Sequence, residues 1–219
     1  MDEYQIKRGK RRLKQIFSGL AFIILLSVGW HYPLLGFFIP LCMLFGIGMA
    51  FWRGRKWCDW FCPRGSFYDA FTTPLSSKAG IPTLFKNMYF RVSVLTALLA
   101  VMAFNLGLRW PDMNKIGLFF IIMLTATIVL GVILALIFHP RSWCSFCPIG
   151  TLANLSGKGR HTLKIDSESC VECKLCAKAC PIGIKPYLYK KTGIQPMTDK
   201  DCLKCGLCVA VCPKKALAF

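Results

Sequence analysis

Thirteen cysteines are the residues of this 219-residue chain with the clearest chemistry. Eight of them form two runs with the same spacing, Cys-x2-Cys-x2-Cys-x3-Cys-Pro, in the C-terminal quarter. The runs are Cys170, Cys173, Cys176 and Cys180 before Pro181, and Cys202, Cys205, Cys208 and Cys212 before Pro213. Four thiolates surround an iron–sulfur cube, and this spacing lets one tight loop supply three of them. The two runs therefore predict two [4Fe–4S] clusters.

In proteins with this pattern the fourth cysteine of each run binds the cluster of the other run. We expect site 1 to consist of Cys170, Cys173, Cys176 and Cys212. We expect site 2 to consist of Cys202, Cys205, Cys208 and Cys180. Zinc also accepts Cys-x2-Cys pairs, but two equal runs with following prolines favour iron and sulfide. Disulfides are less favoured still, because the domain is expected to face a reducing cytoplasm.

Four further cysteines belong to a second repeated pattern. The two copies are Trp57-Cys58-Asp59-Trp60-Phe61-Cys62-Pro63-Arg64-Gly65 and Trp143-Cys144-Ser145-Phe146-Cys147-Pro148-Ile149-Gly150. Both have a basic residue before the Trp, and each follows a long apolar segment. A parallel repeat would bring the copies together, so that Cys58, Cys62, Cys144 and Cys147 hold a third, cubane-type cluster at a site 3. The alternatives are a redox-active dithiol pair or small buried residues that pack helix ends.

The elements that must position these cysteines are apolar helices. No charged residue lies between Lys14 and Arg53, a stretch of 38 residues that suffices for two spans. The predicted spans are about Ile16 to Trp30, Leu34 to Trp52, the run between Arg91 and Arg109, and Ile116 to Pro140. A helix satisfies all of its backbone polar groups internally, which the hydrocarbon requires. We therefore predict a membrane all-α domain of four transmembrane helices, arranged as two hairpins.

The segment Ser156-Gly157-Lys158-Gly159 is typical of a flexible boundary. It divides the chain into a membrane domain at residues 1–160 and a domain with two clusters at residues 161–219. From Leu163 to Phe219 the chain resembles bacterial two-cluster ferredoxins. The resemblance implies a small α+β fold with two pseudo-symmetric halves, opened by Ile165-Asp166 and Met197-Thr198. The gap from Lys185 to Gln195 would be the hairpin between the halves.

Lysine and arginine predict the orientation of the helices, because basic loops stay on the cytoplasmic side. Residues 1–14 carry six and residues 53–91 carry seven, Lys78 among them, whereas the hairpin tips carry only Arg109 and Lys115. We expect a multi-pass protein of the cytoplasmic membrane with both termini and the ferredoxin domain in the cytoplasm.

The formal charge of +18 does not indicate nucleic acid as a partner, since the chain is 55% hydrophobic. Residues 161–219 carry ten Lys and five acidic residues, a net +5 that two clusters of about −2 each nearly neutralise. The remaining charge is expected in cytoplasmic loops that face anionic lipid. Cys42, in the second span, is interpreted as a small apolar core residue.

Four helices, two Cys-x(2,3)-Cys-Pro motifs and a C-terminal two-cluster ferredoxin resemble the NapH/NosR-type membrane-bound ferredoxin family and the accessory iron–sulfur protein of cytochrome oxidase assembly. The NapH resemblance implies oxidation of quinol. This chain departs from the family's pattern at Cys144 and Cys147, which two residues separate instead of three. It also lacks the large extracytoplasmic domain of the NosR type. The resemblance to that type therefore covers only the membrane helices and the ferredoxin domain.

The leading hypothesis is an electron-transfer subunit of a membrane redox complex, without catalytic residues of its own. Electrons would pass between a membrane carrier, quinol by resemblance, or a partner subunit and a cytoplasmic redox protein, through site 3 and then the two ferredoxin sites. Trp30, His31 and Tyr32 are candidates for a quinone pocket, with an aromatic interface belt as the alternative. The second hypothesis is an assembly factor that reduces a metal ion or a thiol for an oxidase or reductase. A wire without quinone, inside a larger complex, is the third.

Overall fold

The computed structural model describes residues 2–77, 79–157 and 159–219. Lys78, one of the loop cations, and Lys158, within the boundary segment, lie outside the described residues, as does Met1.

The described elements before residue 158 are all helical. They are α1 (Asp2–Gly29), α2 (Phe38–Arg53), α3 (Lys56–Trp60), α4 (Pro63–Phe67), α5 (Thr83–Lys86), α6 (Met88–Arg109), α7 (Met113–Ile137), α8 (Ser142–Phe146) and α9 (Pro148–Ser156). A 3-10 helix, Pro33–Phe37, leads into α2, and a π-helical turn, Tyr68–Thr72, follows α4. The short helices α3, α4, α8 and α9 carry the two Cys-Pro motifs, directly after the long helices.

Four helical segments are long and apolar enough to cross a membrane: Glu3–Gly29, Pro33–Arg53, Met88–Arg109 and Met113–Ile137. The prediction of four apolar helices is confirmed, but the start of the first was wrong. Helix α1 begins at Asp2 and not near Ile16. Its polar first turns are helical because Arg11 and Gln15 have buried acidic partners elsewhere in the fold.

The most buried of the four long helices is α7, which packs against α1, α6 and the 3-10 helix. A side chain at Gly36 would collide with the backbone of Gly117, and one at Gly117 would collide with the Pro33 carbonyl. Small residues let membrane helices approach closely, and van der Waals packing holds them together. This contact fixes the start of α2 against α7.

The C-terminal segment is a three-stranded antiparallel sheet with two short helices. Its elements are β1 (Lys164–Asp166), α10 (Leu175–Lys178), β2 (Ile194–Pro196), α11 (Leu207–Val211) and β3 (Leu217–Ala218), in the sheet order β2-β1-β3. Ile165 is paired with Gln195 on one side and with Leu217 on the other. A 3-10 helix, Pro186–Tyr189, lies between α10 and β2.

Met197-Thr198, expected to open the second half, directly follows β2. The Met197 N–H donates to the Leu163 carbonyl at 2.7 Å, and the Met197 side chain is buried. Ile194–Pro196 forms β2 by pairing with β1, so β2 overlaps the end of the hairpin expected from Lys185 to Gln195.

The C-terminal segment shares a core with the first Cys-Pro motif. Cys58 lies in one buried cluster with Leu163, Ile165, Met197 and Cys202. Helix α1 also contacts α11. The ferredoxin segment therefore packs directly on the end of the helical bundle that carries the Cys-Pro motifs.

Candidate functional site

Two cavities in the C-terminal segment separate the eight cysteines of the tandem runs into two groups. One cavity is lined by Cys170, Cys173, Cys176 and Cys212. The other is lined by Cys180, Cys202, Cys205 and Cys208. Each cavity thus receives three cysteines from one run and the fourth from the other run. These are the sets that we expected for site 1 and site 2.

The loops around these cavities have a repeated backbone conformation. The residues on either side of the second cysteine are left-handed in both runs: Glu172 and Lys174 in the first, Lys204 and Gly206 in the second. Alternating right- and left-handed residues direct successive N–H groups into a concavity that binds anions, including iron–sulfur groups. The N–H groups of Ile182 and Ile184 are hydrogen-bonded to the Cys180 sulfur. The donor set and the backbone therefore suit an anionic cube held by thiolates.

Within the described ranges, no three His, Cys, Asp or Glu side chains lie close enough to hold a single metal ion. The cysteine side chains of each set line a cavity that is largely apolar, with Ile165 and Leu217 beside site 1 and Leu163 and Ile184 beside site 2.

The two Cys-Pro motifs meet, and two buried arginines cross between them. Arg55 precedes Cys58 by three residues, and its Nη2 donates to the Cys144 carbonyl at 2.6 Å. Arg141 precedes Cys144 by three residues, and its Nη1 donates to the Cys58 carbonyl at 2.8 Å. Each guanidinium therefore satisfies the backbone of the motif to which it does not belong.

Glycine is required where these arginines pass. A Cβ atom at Gly65 would lie 2.8 Å from Nη1 of Arg141, and one at Gly150 would lie 2.9 Å from Nη2 of Arg55. The same Cβ atoms would lie 2.9 Å and 3.0 Å from the carbonyl oxygens of Cys58 and Cys144. The Gly that ends each motif leaves room for the arginine of the other motif.

The four motif cysteines are close enough to influence one another's charge. Burial raises the pKa of Cys58, and Arg55 opposes this rise while Cys147 adds to it. Burial likewise raises the pKa of Cys144, with Arg141 opposing, and raises that of Cys62, with Cys58 and Cys144 adding to it. Four bare thiolates are therefore unfavourable together here, whereas thiolates bound to cationic iron are not.

Two acidic residues, Asp59 and Asp69, form ion pairs with Arg141. Asp69 accepts from Nε and Nη2 of Arg141, both at 2.7 Å, and from Gln15 at 2.7 Å. Arg11 of α1 bridges Asp69 and the fully buried Asp59, at 2.5 Å and 2.6 Å. Although burial opposes its ionisation, Arg141 and Arg11 hold the pKa of Asp69 at about 2. Asp69 is therefore a carboxylate at neutral pH.

A second acidic residue anchors Arg55 from the ferredoxin segment. Asp201, next to Cys202 of site 2, accepts from Arg55 at 2.9 Å and from Nη1 and Nη2 of Arg91 at 2.7 and 2.6 Å. Asn154 of α9 donates to the same carboxylate at 2.9 Å. One buried carboxylate therefore joins α6, α9 and the first Cys-Pro motif to the site 2 loop.

Four buried donors in or beside the two motifs have no hydrogen-bond partner among the described residues. They are Nε1 of Trp143, Oγ of Ser66, Oγ1 of Thr151 and Nε of Arg55. Ser66 and Thr151 occupy equivalent positions, each four residues after the second cysteine of its motif. Leaving a buried donor unpaired costs about 1–3 kcal/mol. These donors fit a site that is completed by an acceptor-rich group, such as the sulfur atoms of a cluster.

A groove of about 130 Å³ runs between the membrane helices and ends at this site. Its walls are apolar residues of α1, α2, α6 and α7, among them Phe22, Ile39, Leu98 and Met102. Cys62, Arg64, Trp143 and Cys147 form its end at the motifs. Cys42, expected to be a packed core residue, lines the groove and is partly buried.

The sequence interpretation missed the role of the buried ion pairs. Arg11, Arg55 and Arg91 were interpreted as loop charges, yet each has a buried carboxylate partner. The matching position of Arg55 and Arg141, three residues before the first cysteine, was the available signal. Trp30 and Tyr32, candidates for a quinone pocket, are instead 50% and 67% exposed at the hairpin tip, outside the groove.

Two protein-family comparisons agree with the location of the cysteines. Residues 162–213 match a 4Fe-4S dicluster domain. Residues 35–82 and residues 118–166 match a 4Fe-4S binding domain, once around each Cys-Pro motif. No solved structure is detectably similar to the chain.

Three relatives also match. An uncharacterised protein of Methanocaldococcus jannaschii is 29% identical over 195 residues, which cover 79% of this chain and 75% of that protein. A second uncharacterised protein of the same organism is 31% identical over 147 residues, 60% of each chain. Escherichia coli YccM, named as a candidate electron transport protein, is 27% identical over 148 residues, 58% of this chain and 41% of YccM.

The chain is thus an iron–sulfur protein that carries ferredoxin-type 4Fe-4S domains and four helices suited to a membrane. Proteins of this class transfer electrons one at a time through their clusters.

Proposed function

We propose that this protein is a membrane-anchored electron-transfer subunit with three [4Fe–4S] clusters, at sites 1, 2 and 3. The observation that carries the proposal is the contact between site 3 and site 2. Cys58 lies in the same buried cluster as Cys202 and Cys208, and Arg55 binds both the Cys144 carbonyl and Asp201 beside Cys202. A series of adjacent one-electron sites is what an electron wire requires.

The ligands of sites 1 and 2 are the two cysteine sets that line separate cavities. The ligands of site 3 are Cys58, Cys62, Cys144 and Cys147. The unpaired donors Trp143 Nε1, Ser66 Oγ and Thr151 Oγ1 support an acceptor-rich group there. The match of a 4Fe-4S binding domain to both motif regions supports the same assignment. The shorter spacing between Cys144 and Cys147 is compatible with a cluster at site 3. Hydrogen bonds from Arg55 and Arg141 fix the two motif loops whatever the spacing of their cysteines.

The protein's own residues set the electrostatics of site 3. When bound, a cluster supplies one-electron storage with little structural change. Arg55 and Arg141 place two buried cations beside the thiols and favour the more negative, reduced state. Asp59, Asp69 and Asp201 hold those cations in fixed orientations, so little reorganisation accompanies a change of charge.

A quinone is the membrane carrier that the groove best supports. The groove is apolar along its length and polar only where it reaches site 3. Arg64 stands at that end: it donates to the Tyr68 hydroxyl at 3.1 Å and lies 4.3 Å from the ring centroid of Trp143. Such a guanidinium is a suitable partner for a quinone carbonyl. The NapH-type resemblance supports the same carrier.

We place the protein in the cytoplasmic membrane with both termini in the cytoplasm, on the distribution of Lys and Arg among its loops. Residues 1–160 form the membrane domain and residues 161–219 the ferredoxin domain. Other subunits of a membrane redox complex are the expected partners, and YccM of Escherichia coli is named as a candidate electron transport protein.

The alternative is an assembly factor that reduces a metal ion or a thiol for an oxidase or reductase. The soft side chains of Cys42, Met43 and Met102 along the groove are the observation that favours it. The two functions differ in stoichiometry. A wire stays in the mature complex in equal amount with its other subunits, whereas an assembly factor leaves it.

The test of the proposal is the iron content of the purified chain. Cys58→Ala or Cys147→Ala should remove about four of about twelve iron atoms and one EPR signal on reduction, because a cubane needs four ligands. Cys42→Ala is the matched control and should leave the iron content unchanged. If either variant retained the full iron content and EPR spectrum, site 3 would not hold a cluster.

A further inference from the structure

We propose that site 1 is the terminal site of the chain and that the surface around it docks a soluble, acidic redox protein. The inference rests on the proposed electron-transfer function. It adds which ferredoxin site meets the partner and what charge that partner carries.

The order of the sites follows from their contacts with the helical bundle. Site 2 is adjacent to site 3 through Asp201, which precedes Cys202 and is bound by Arg55 and Arg91. Site 2 therefore lies between site 3 and the rest of the ferredoxin segment.

Site 1 faces away from the bundle. All residues that line its cavity belong to the segment between Ile165 and Leu217. Cys173 is exposed, as are Val171 at 60% and Leu175 at 38%. Electron tunnelling falls steeply with distance, so an exposed thiol ligand marks the place where a soluble partner exchanges electrons most easily.

The rim of this cavity is basic. Lys174 and Lys214 line the cavity and are exposed. The one acidic lining residue, Glu172, is paired with Lys190 at 3.1 Å. Apolar residues inside a rim of uncompensated lysines complement a partner whose cofactor lies in a surface bordered by carboxylates. A basic partner would meet like charges.

The reaction at this surface is the transfer of a single electron. One electron passes between site 1 and the partner's cofactor, and no bond of this chain forms or breaks. With a flavin as acceptor, the flavin takes up the electron with a proton from water and becomes the neutral semiquinone.

The experiment measures binding as well as transfer. The full chain in lipid nanodiscs is titrated with an oxidised, acidic flavodoxin as the probe, and with basic cytochrome c as the opposite-charge probe. Lys214→Glu should weaken flavodoxin binding about three- to tenfold at low ionic strength and less at high salt, because rim charges act through screened attraction. Lys200→Glu, the same change at an exposed lysine of the cavity that faces Gly54 and Arg55, is the matched control.

Lys174→Glu provides an independent second variant in case Lys214→Glu perturbs the neighbouring Cys212. Retention of the site 1 EPR signal identifies a correctly folded variant. Equal weakening by Lys200→Glu, tighter binding of cytochrome c than flavodoxin by the native chain, or flavodoxin binding unchanged in both rim variants would overturn the inference. A chain without clusters at sites 1 and 2 would instead overturn the proposed function.

Discussion

Arg55 and Arg141 stabilise site 3 from opposite sides, and each is almost completely buried. An isolated buried charge is costly, so such residues need fixed partners. Four buried or nearly buried guanidinium groups, of Arg11, Arg55, Arg91 and Arg141, face the three carboxylates of Asp59, Asp69 and Asp201. One positive charge is left in excess, next to thiols that would carry an anionic cluster.

Replacing one crossed arginine should change the potential of site 3. Arg141→Gln removes a buried cation, so we expect the reduction potential of that cluster to fall by about 60 mV or more, equal to a tenfold change in a one-electron equilibrium. Arg141→Lys keeps the charge and should shift the potential less. The measurement is an EPR-monitored redox titration of the full chain.

Arg160→Gln, at an exposed position of the linker, is the control for the loss of one arginine. Because Asp69 would lose its main partner, the Arg141→Gln variant should also unfold more easily, by about 3–5 kcal/mol. An unchanged potential in a variant that still holds its iron would show that Arg141 has only a structural role.

At the scale of elements, the apolar helices could be predicted because hydrocarbon excludes charge, and the chain has long stretches without it. The first helix extends about 14 residues further than hydropathy indicated, since hydropathy reports contact with lipid only. Helix α1 packs on α4 and α11, and Arg11 in its polar first half pairs with Asp59, so the helix extends beyond the apolar segment. Such long-range partners leave no local pattern in the sequence.

The candidate site was predictable to different degrees. Ligand spacing identified the tandem runs, because one short loop must supply three thiolates. The repeat of Trp, Cys and Cys-Pro indicated that the two motifs meet. The crossing of Arg55 and Arg141 could not be predicted, because it depends on how the two hairpins pack. The groove was missed for the same reason, since its walls come from four helices that are far apart in sequence.

The groove between the helices is tested by filling it. Met102→Trp places a large ring where α6 lines the groove, so binding of quinone should be strongly reduced. The probe is a photoreactive azidoquinone, followed by mass spectrometry of the labelled peptides. In the native chain we expect the label near Arg64 and Trp143.

Val101→Trp adds the same side chain at the adjacent position of α6, which is 48% exposed and lies outside the groove lining. Labelling that is equally strong in both variants, or confined to the tip near Tyr32, would contradict the proposed quinone position. The iron content of both variants verifies that site 3 is intact.

At the scale of the whole molecule, the formal charge of +18 has a different distribution from the one expected. Part of it lies inside the protein, where it joins the ferredoxin segment to the bundle and does not face lipid. Asp201 is the centre of that joint, since it binds Arg55, Arg91 and Asn154 together. The ferredoxin segment is therefore attached by buried charge in addition to apolar packing.

Removing that carboxylate should loosen the joint. In Asp201→Asn, two buried arginines lose their charged partner, a change that costs about 3–5 kcal/mol. We expect faster hydrogen exchange in residues 197–212 and in α9, measured by mass spectrometry on the full chain. Glu168→Gln, an exposed acidic position of the same segment, should leave exchange unchanged. Equal protection in Asp201→Asn and the native chain would mean that apolar contacts alone hold the segment.

The crossed arginines also impose an order on biosynthesis. Cys58 and Cys62 leave the ribosome long before Cys144 and Cys147. The Cys58 carbonyl gains its hydrogen bond from Arg141 only after that later part of the chain has been synthesised. The first hairpin by itself has only two of the four thiols, and its Asp69 has Arg11 and Gln15 as partners but lacks Arg141. If site 3 holds a cluster as proposed, we expect it to be inserted only after both Cys-Pro motifs have been synthesised and have packed together, because each motif alone supplies only two thiols.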